Sequence, residues 1–261
     1  MFRILTAVLG LLLCVTTVQA DEKSVPATDA ASKQFKVLID EFEADGNARE
    51  SAGQFIELAE QHPKSPVAVN SLAWVVVNVS RGKDLERATV LLARNHVESS
   101  RLDAVCKELP FRLSLASESL LRELRSRSPH KDVRAQASFH LAVYLRQQLR
   151  LVDAFREETA DPRRFEQFYG KDFVEHLAGL DTSASLKEVE TIYEDVAWKY
   201  SNIRINDSTM GRTARRELYA IRNLSIGRTA PEISGIDVDG RNFKLSDYRG
   251  KVVLLDFWGH W

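Results

Sequence analysis

Lys251-Val252-Val253-Leu254-Leu255-Asp256-Phe257-Trp258 is a run of apolar and aromatic residues, too short for a helix and rich in the types that suit a buried strand. It reads as a central strand of a sheet. Just before it, Ile236-Asp237-Val238-Asp239-Gly240-Arg241-Asn242-Phe243-Lys244-Leu245 alternates with period two and is broken by Asp-Gly, the dipeptide that supplies the positive φ of a tight hairpin. A hairpin therefore feeds the strand. An isolated hairpin and one apolar strand cannot cover both faces of a central strand, which needs neighbours and flanking helices. Within this chain alone, residues 226–261 are expected to be poorly ordered or to rest on whatever precedes them.

Four motifs in this region follow one another at a telling spacing. They are Gly227-Arg228-Thr229-Ala230-Pro231-Glu232-Ile233, Asp239-Gly240, Leu245-Ser246-Asp247-Tyr248-Arg249-Gly250-Lys251, and the strand ending Phe257-Trp258-Gly259-His260-Trp261. Together they resemble the opening of a thioredoxin-fold domain, in the branch that holds the redoxin (AhpC/TSA) proteins and the TlpA/ResA-type thiol:disulfide oxidoreductases. The resemblance implies that the strand runs into Trp-Cys-x-x-Cys, whose first cysteine, at a helix N-terminus, has a lowered pKa and is the attacking thiolate. It places Trp261 directly before that cysteine, shielding one side of the thiolate, and offers Asp256 as a proton-accepting carboxylate, with a plain charge at the strand's end as the alternative; Trp258 reads as an aromatic residue packing on the core. The nucleophilic cysteine is expected one position after Trp261. The chain is thus expected to be the N-terminal part of such a protein and to lack turnover, with no cofactor, and with a disulfide-bearing protein or a peroxide as the partner of the complete molecule.

Upstream the pattern changes. Met1 to Ala20 reads as a secretory signal, with Arg3 as a minimal n-region, Ile4–Val15 as the apolar core and Val18-Gln19-Ala20 as the cleavage site. Cleavage after Ala20 would deliver the chain to a periplasm or cell surface with no further membrane contact. It would also remove Cys14 and leave Cys106 without an internal disulfide partner. Cys106, flanked by Val105 and Leu109 at helical spacing, reads as a buried helix cysteine; a reactive thiol or an intermolecular link is the alternative. Asp21–Asp29 reads as a disordered leader.

Residues 30–225 carry helical periodicity almost throughout, so the fold class is mostly α: a helical domain, bundle or helical repeat, followed by the start of an α/β domain. Phe35, Leu38, Ile39 and Phe42 mark a first helix closed by Gly46, and Phe55, Ile56, Leu58 and Ala59 a second ending at His62-Pro63. Pro66 opens an apolar helix through Val79 that belongs at the centre of the core. Asp84 is expected to cap the next, with Leu85, Ala88, Val90, Leu91 and Leu92 inside, and Pro110 to start another that stops before Ser128-Pro129. Val133, Ala137, Leu141, Tyr144, Leu145 and Leu149 define the clearest helix. Asp161-Pro162 opens one that Gly170 divides, Thr182 or Ser183 leads into Leu186–Tyr200, and Arg212 to about Leu224 forms the last. Gly82–Ala88 faintly resembles a tetratricopeptide repeat, without a second copy at fixed period.

Other chemistries find little footing. The 36 basic and 37 acidic residues leave a net charge of −1, so no field attracts nucleic acid or a membrane surface. The six histidines show no ligand spacing for a metal, and there is no Gly-x-Ser-x-Gly elbow. Asp237-x-Asp239-Gly240 lacks the closing ligands of a calcium loop, and Arg212, Arg215 and Arg216 read as a solvated helix face. The competing reading, from a different class, is a helical-repeat protein-interaction module with a vestigial thioredoxin-like tail.

Overall fold

A computed structural model describes residues 28–156 and 161–259. The signal and most of the leader lie outside the described residues, as do His260 and Trp261. Eleven helices of six or more residues account for most of the described chain, and the fold is mostly α.

The first four helices are α1 (Thr28–Asp45), α2 (Ala48–Gln61), α3 (Pro66–Asn78) and α4 (Lys83–Asn95). Each packs on the next and on the next but one, the neighbour-to-neighbour arrangement of a helical-repeat array. Gly46 ends α1 with φ +68° and an N–H donated to the Phe42 carbonyl at 2.7 Å. Asn47 and Ser65 cap α2 and α3, each accepting a backbone N–H. α3 is apolar nearly all round, and its Trp74 ring stacks on Phe55 at 3.8 Å between centroids while Phe42 meets it edge-on at 4.9 Å. These rings tie α1, α2 and α3 into one cluster.

Two of the expected helix starts are displaced. Gly82, at φ +109°, occupies the cap position of α4, and Asp84 lies within the first turn, where its carboxylate still complements the helix N-terminus. Val90, expected inside, is 52% exposed because the inner stripe runs through Leu85, Ala88, Thr89 and Leu92. Pro110 sits in a 3₁₀ turn, Leu109–Phe111, that follows the short α5 (Asp103–Glu108). The next long helix, α6 (Leu115–Arg127), begins only where Ser114 accepts the Ser117 N–H. Between them the Arg112 guanidinium donates to the Val76 and Val77 carbonyls, satisfying groups that the end of α3 leaves unpaired.

α7 (Lys131–Arg156) is the long central helix, packed against α5, α6, α9 and α10. Val133, Ala137, Leu141, Tyr144 and Leu145 are all buried, as their spacing predicts. Asp161 caps α8 (Pro162–Tyr169) by accepting the Arg163 N–H, and Gly170, at φ +87°, separates it from α9 (Lys171–Ala178). Asp181, one residue before the expected Thr182 or Ser183, caps α10 (Thr182–Lys199), accepting two backbone N–H groups at 3.0 Å.

A two-residue hairpin that the periodicity does not reveal, β1 (Arg204–Ile205) with β2 (Ser208–Thr209), turns the chain through Asn206 at φ +49° into α11 (Met210–Asn223). Gly211 allows α11 to lie against the end of α10: a Cβ there would stand 2.8 Å from Ser201 Cα. Arg212, Arg215 and Arg216 are exposed. Beyond α11 the described residues form the hairpin β3 (Ser234–Ile236) and β4 (Asn242–Lys244) and a 3₁₀ turn, Leu245–Tyr248. No described helix is long and apolar enough to cross a membrane.

Candidate functional site

The tail is built from local hydrogen bonds. Asp237 organises the hairpin turn: its carboxylate accepts the Asp239 and Arg241 N–H groups at 3.0 and 2.8 Å, and its carbonyl accepts the Gly240 N–H at 3.0 Å. Gly240 takes φ +79°, which explains the Asp-Gly signature. The pair registers Ser234 with Lys244, Gly235 with Phe243 and Ile236 with Asn242. Gly235 lies under the Phe243 ring, where a Cβ would come within 2.9 Å of it. Farther on, the Glu232 carboxylate accepts the Ser246 N–H at 3.0 Å; hydrogen bonding with the Ser246 side chain, and next with this N–H, holds its pKa below the ordinary value, and Ile233 accepts Leu245 N–H at 2.8 Å. Asp247 closes the turn by accepting the Lys244 N–H at 2.9 Å.

After Gly250 (φ +82°) the regular bonding stops. Residues 252–259 take no strand assignment, in contrast to the central strand expected there. A strand exists by its ladder, and no described segment runs beside this one to form it. The exposure nevertheless keeps a strand's alternation over four residues: Val252 and Leu254 are fully open, at 103% and 93%, while Val253 and Leu255 are half covered, at 41% and 47%. Phe257 and Trp258 stand in solvent.

Of the expected site residues, Asp256 and Trp258 are exposed on this unpaired segment, and Trp261 lies outside the described residues. The packing expected of Trp258 is absent, for the same want of a neighbouring sheet. The hollow against the hairpin, about 530 Å³, is bordered by Lys244 and Asp247 as its charged residues and by the Ser234 hydroxyl, and among the described residues no side-chain hydrogen bond joins that hydroxyl to either. The described thiol, Cys106, is fully buried in α5. Burial pushes its pKa far up, so it is an inert core residue and not an attacking thiolate. Among the described residues no group of three or more His, Cys, Asp or Glu side chains is placed to hold a metal ion.

The helical part holds polar groups whose partners sequence reasoning missed. Tyr144, fully buried, donates to the Ser114 carbonyl at 2.7 Å and so joins α7 to the start of α6. Gln148, one turn on, donates to the Glu118 carboxylate at 3.0 Å, and its own side-chain oxygen has no partner. Glu118 also accepts from Arg122, which reaches Glu188 on α10 at 2.6 Å. A second polar group, Arg146 with Glu217, bridges α7 and α11. The signal available in the sequence was weak: polar residues within an otherwise apolar helical stripe at Tyr144 and Gln148.

No family model matches the chain, and no solved structure matches it. Curated proteins do. Thiol-disulfide oxidoreductase ResA of Geobacillus thermodenitrificans is 50% identical over 38 residues, 15% of this chain and 22% of that protein. The protein of the same name from Geobacillus kaustophilus matches over the same length at the same identity. ResA of Bacillus thuringiensis strain Al Hakam is 34% identical over 58 residues, 22% of this chain and 34% of that protein. The chain therefore spans between about a fifth and a third of the relatives it matches, and most of the chain lies outside the matches. A short stretch of this otherwise helical protein is related to thiol-disulfide oxidoreductases.

Proposed function

We propose that residues 226–261 are the opening of a thioredoxin-type thiol-disulfide oxidoreductase domain borne behind a helical region, and that the reacting cysteine follows Trp261. The observation that carries this reading is the 50% identity to ResA over 38 residues, close to the length of that segment. The Asp-Gly hairpin of β3 and β4, followed by Tyr248-Arg249-Gly250-Lys251 and an apolar run, supports it by the order of its parts.

The chemistry is thiol-disulfide exchange. A thiolate attacks one sulfur of a partner disulfide, that S–S bond breaks, and the leaving thiolate takes up a proton; a second cysteine of the domain then attacks the mixed disulfide and releases the reduced partner. A peroxide is the other acceptor of this class: the thiolate attacks one oxygen, the O–O bond breaks to give a sulfenic acid, and the leaving hydroxide or alkoxide takes up a proton and departs as water or an alcohol. In this reading Trp261 flanks the thiolate, Asp256 accepts its proton through the strand end and Trp258 packs beneath. Cys106 has no part in the reaction.

Reading the coding sequence past the Trp261 codon tests the proposal. A frame that continues into Cys-x-x-Cys, and an extended protein that reduces insulin disulfides while the 261-residue chain does not, is the expected result. A continuing frame without that pair, or turnover by the 261-residue chain that survives Cys106→Ser, overturns it. We further infer export with cleavage after Ala20; the mature protein would then begin at Asp21, which N-terminal sequencing of extracytoplasmic material reads directly.

A further inference from the structure

A cleft of about 140 Å³ lies along one face of α7, where α10 packs on it and Glu217 of α11 reaches Arg146. Phe139, Val143, Arg146 and Arg150 recur at four, three and four residues and so line a single helix face, apolar at one end and basic at the other. Tyr193 of α10 closes the floor. It is 1% exposed, its ring meets Phe139 edge-on at 5.9 Å, and the Arg146 guanidinium lies beside its hydroxyl. Glu217 of α11 forms the far wall and pairs with Arg146.

The charges do not balance. Arg146 and, at 3.7 Å, Arg216 share the single Glu217 carboxylate. Arg150, which also lines the cleft, forms no ion pair among the described residues. Two guanidinium groups thus line the cleft with one carboxylate beside an apolar floor, and Arg216 draws on that carboxylate from outside it. The lining comes from helix interiors, whose backbone N–H groups are already spent in the helical ladder, so any anion must be held by the side-chain forks. That favours a planar carboxylate, which a guanidinium holds with two parallel bonds. The cleft is half open, and its volume of about 140 Å³ leaves room for a body of about one ring lying against the floor.

We propose that the cleft between α7, α10 and α11 binds a carboxylate carried on one ring or branched apolar group. Arg150 holds the carboxylate, with the Glu217-paired Arg146 beside it, and Phe139, Val143 and Tyr193 hold the body. The carboxylate is either that of a free organic acid or the C-terminal group of a peptide ending in an apolar residue.

Phenylacetate, titrated into the full chain and followed by amide and side-chain NMR shifts, is the probe. The expected result is saturable shifts in the millimolar range centred on Phe139, Val143 and Tyr193, none with phenylacetamide, and about tenfold weaker binding in Arg150→Gln, the worth of one charge-assisted bond. Val143→Phe, which fills the apolar end and leaves the guanidinium groups in place, should abolish the response; Arg150→Lys should recover only part of it. N-acetyl-glycyl-phenylalanine against its C-terminal amide distinguishes the sources. Tighter binding of this peptide acid than of phenylacetate assigns the site to a peptide end, and equal or weaker binding assigns it to a small acid. An equal response to acid and amide, no saturation, or full affinity in a folded Arg150→Gln protein overturns the proposal.

Discussion

His140 is buried on α7, and its Nδ1 lies 2.8 Å from the Gln136 carbonyl, so this nitrogen carries the proton and donates. Burial lowers its pKa from 6.5 to about 4, against the opposing pull of that bond and with help from Lys107. A histidine held neutral in the fold and free to charge when unfolded gives stability that is complete above pH 6.5 and drains away as pH falls toward 4. The unfolded chain takes up the proton first, so the effect is on the order of 3 kcal/mol across that window. Denaturant titrations at pH 7, 5.5 and 4 should show the fall, and His140→Gln should flatten it. Tyr144→Phe should cost about 1 to 2 kcal/mol at every pH, because it strands the Ser114 carbonyl without adding a charge. Neither effect was legible beforehand: Tyr144 read as one more apolar step, and its hydroxyl's partner lies thirty residues earlier.

At the scale of elements, what the sequence revealed was whatever depends on near neighbours. The Asp-Gly hairpin, the Asp161-Pro162 start and the division at Gly170 are local requirements of φ and of capping, and each stands where its residues put it. The misplaced starts at Asp84 and Pro110 share one cause. Asp84 and Pro110 suit a cap and a first helical position, but Gly82 and Ser114, a few residues away, set the chain direction. The strand at 251–258 failed differently, since a ladder needs a second segment that local composition cannot supply. For the candidate site the same division holds: its residue order was legible, and its geometry was not. Gly211 illustrates a contact no local rule finds, its missing Cβ making room for Ser201. Gly211→Ala should destabilise by about 1 to 3 kcal/mol, lowering the Tm by several degrees in a calorimetric scan with little change in helix content.

For the whole molecule, the helical packing and the tail are energetically unequal. The tail has few buried apolar contacts, so its amides from Val252 to Phe257 should exchange with solvent orders of magnitude faster than those of α3 and α7. A mass-resolved exchange time course checks this, and slow exchange there would show that the segment has found a ladder partner. Removing everything after Ser225 should leave the melting temperature within a degree or two, because Ile221 is the last buried apolar residue of the described chain. That position of Ile221 also bears on the order of synthesis. A growing chain exposes its N-terminal residues first and folds domain by domain, so all the side chains that close the helical core emerge before the apolar run after Gly250 does. The run therefore emerges beside a finished, water-facing surface, with no half-built core to be drawn into.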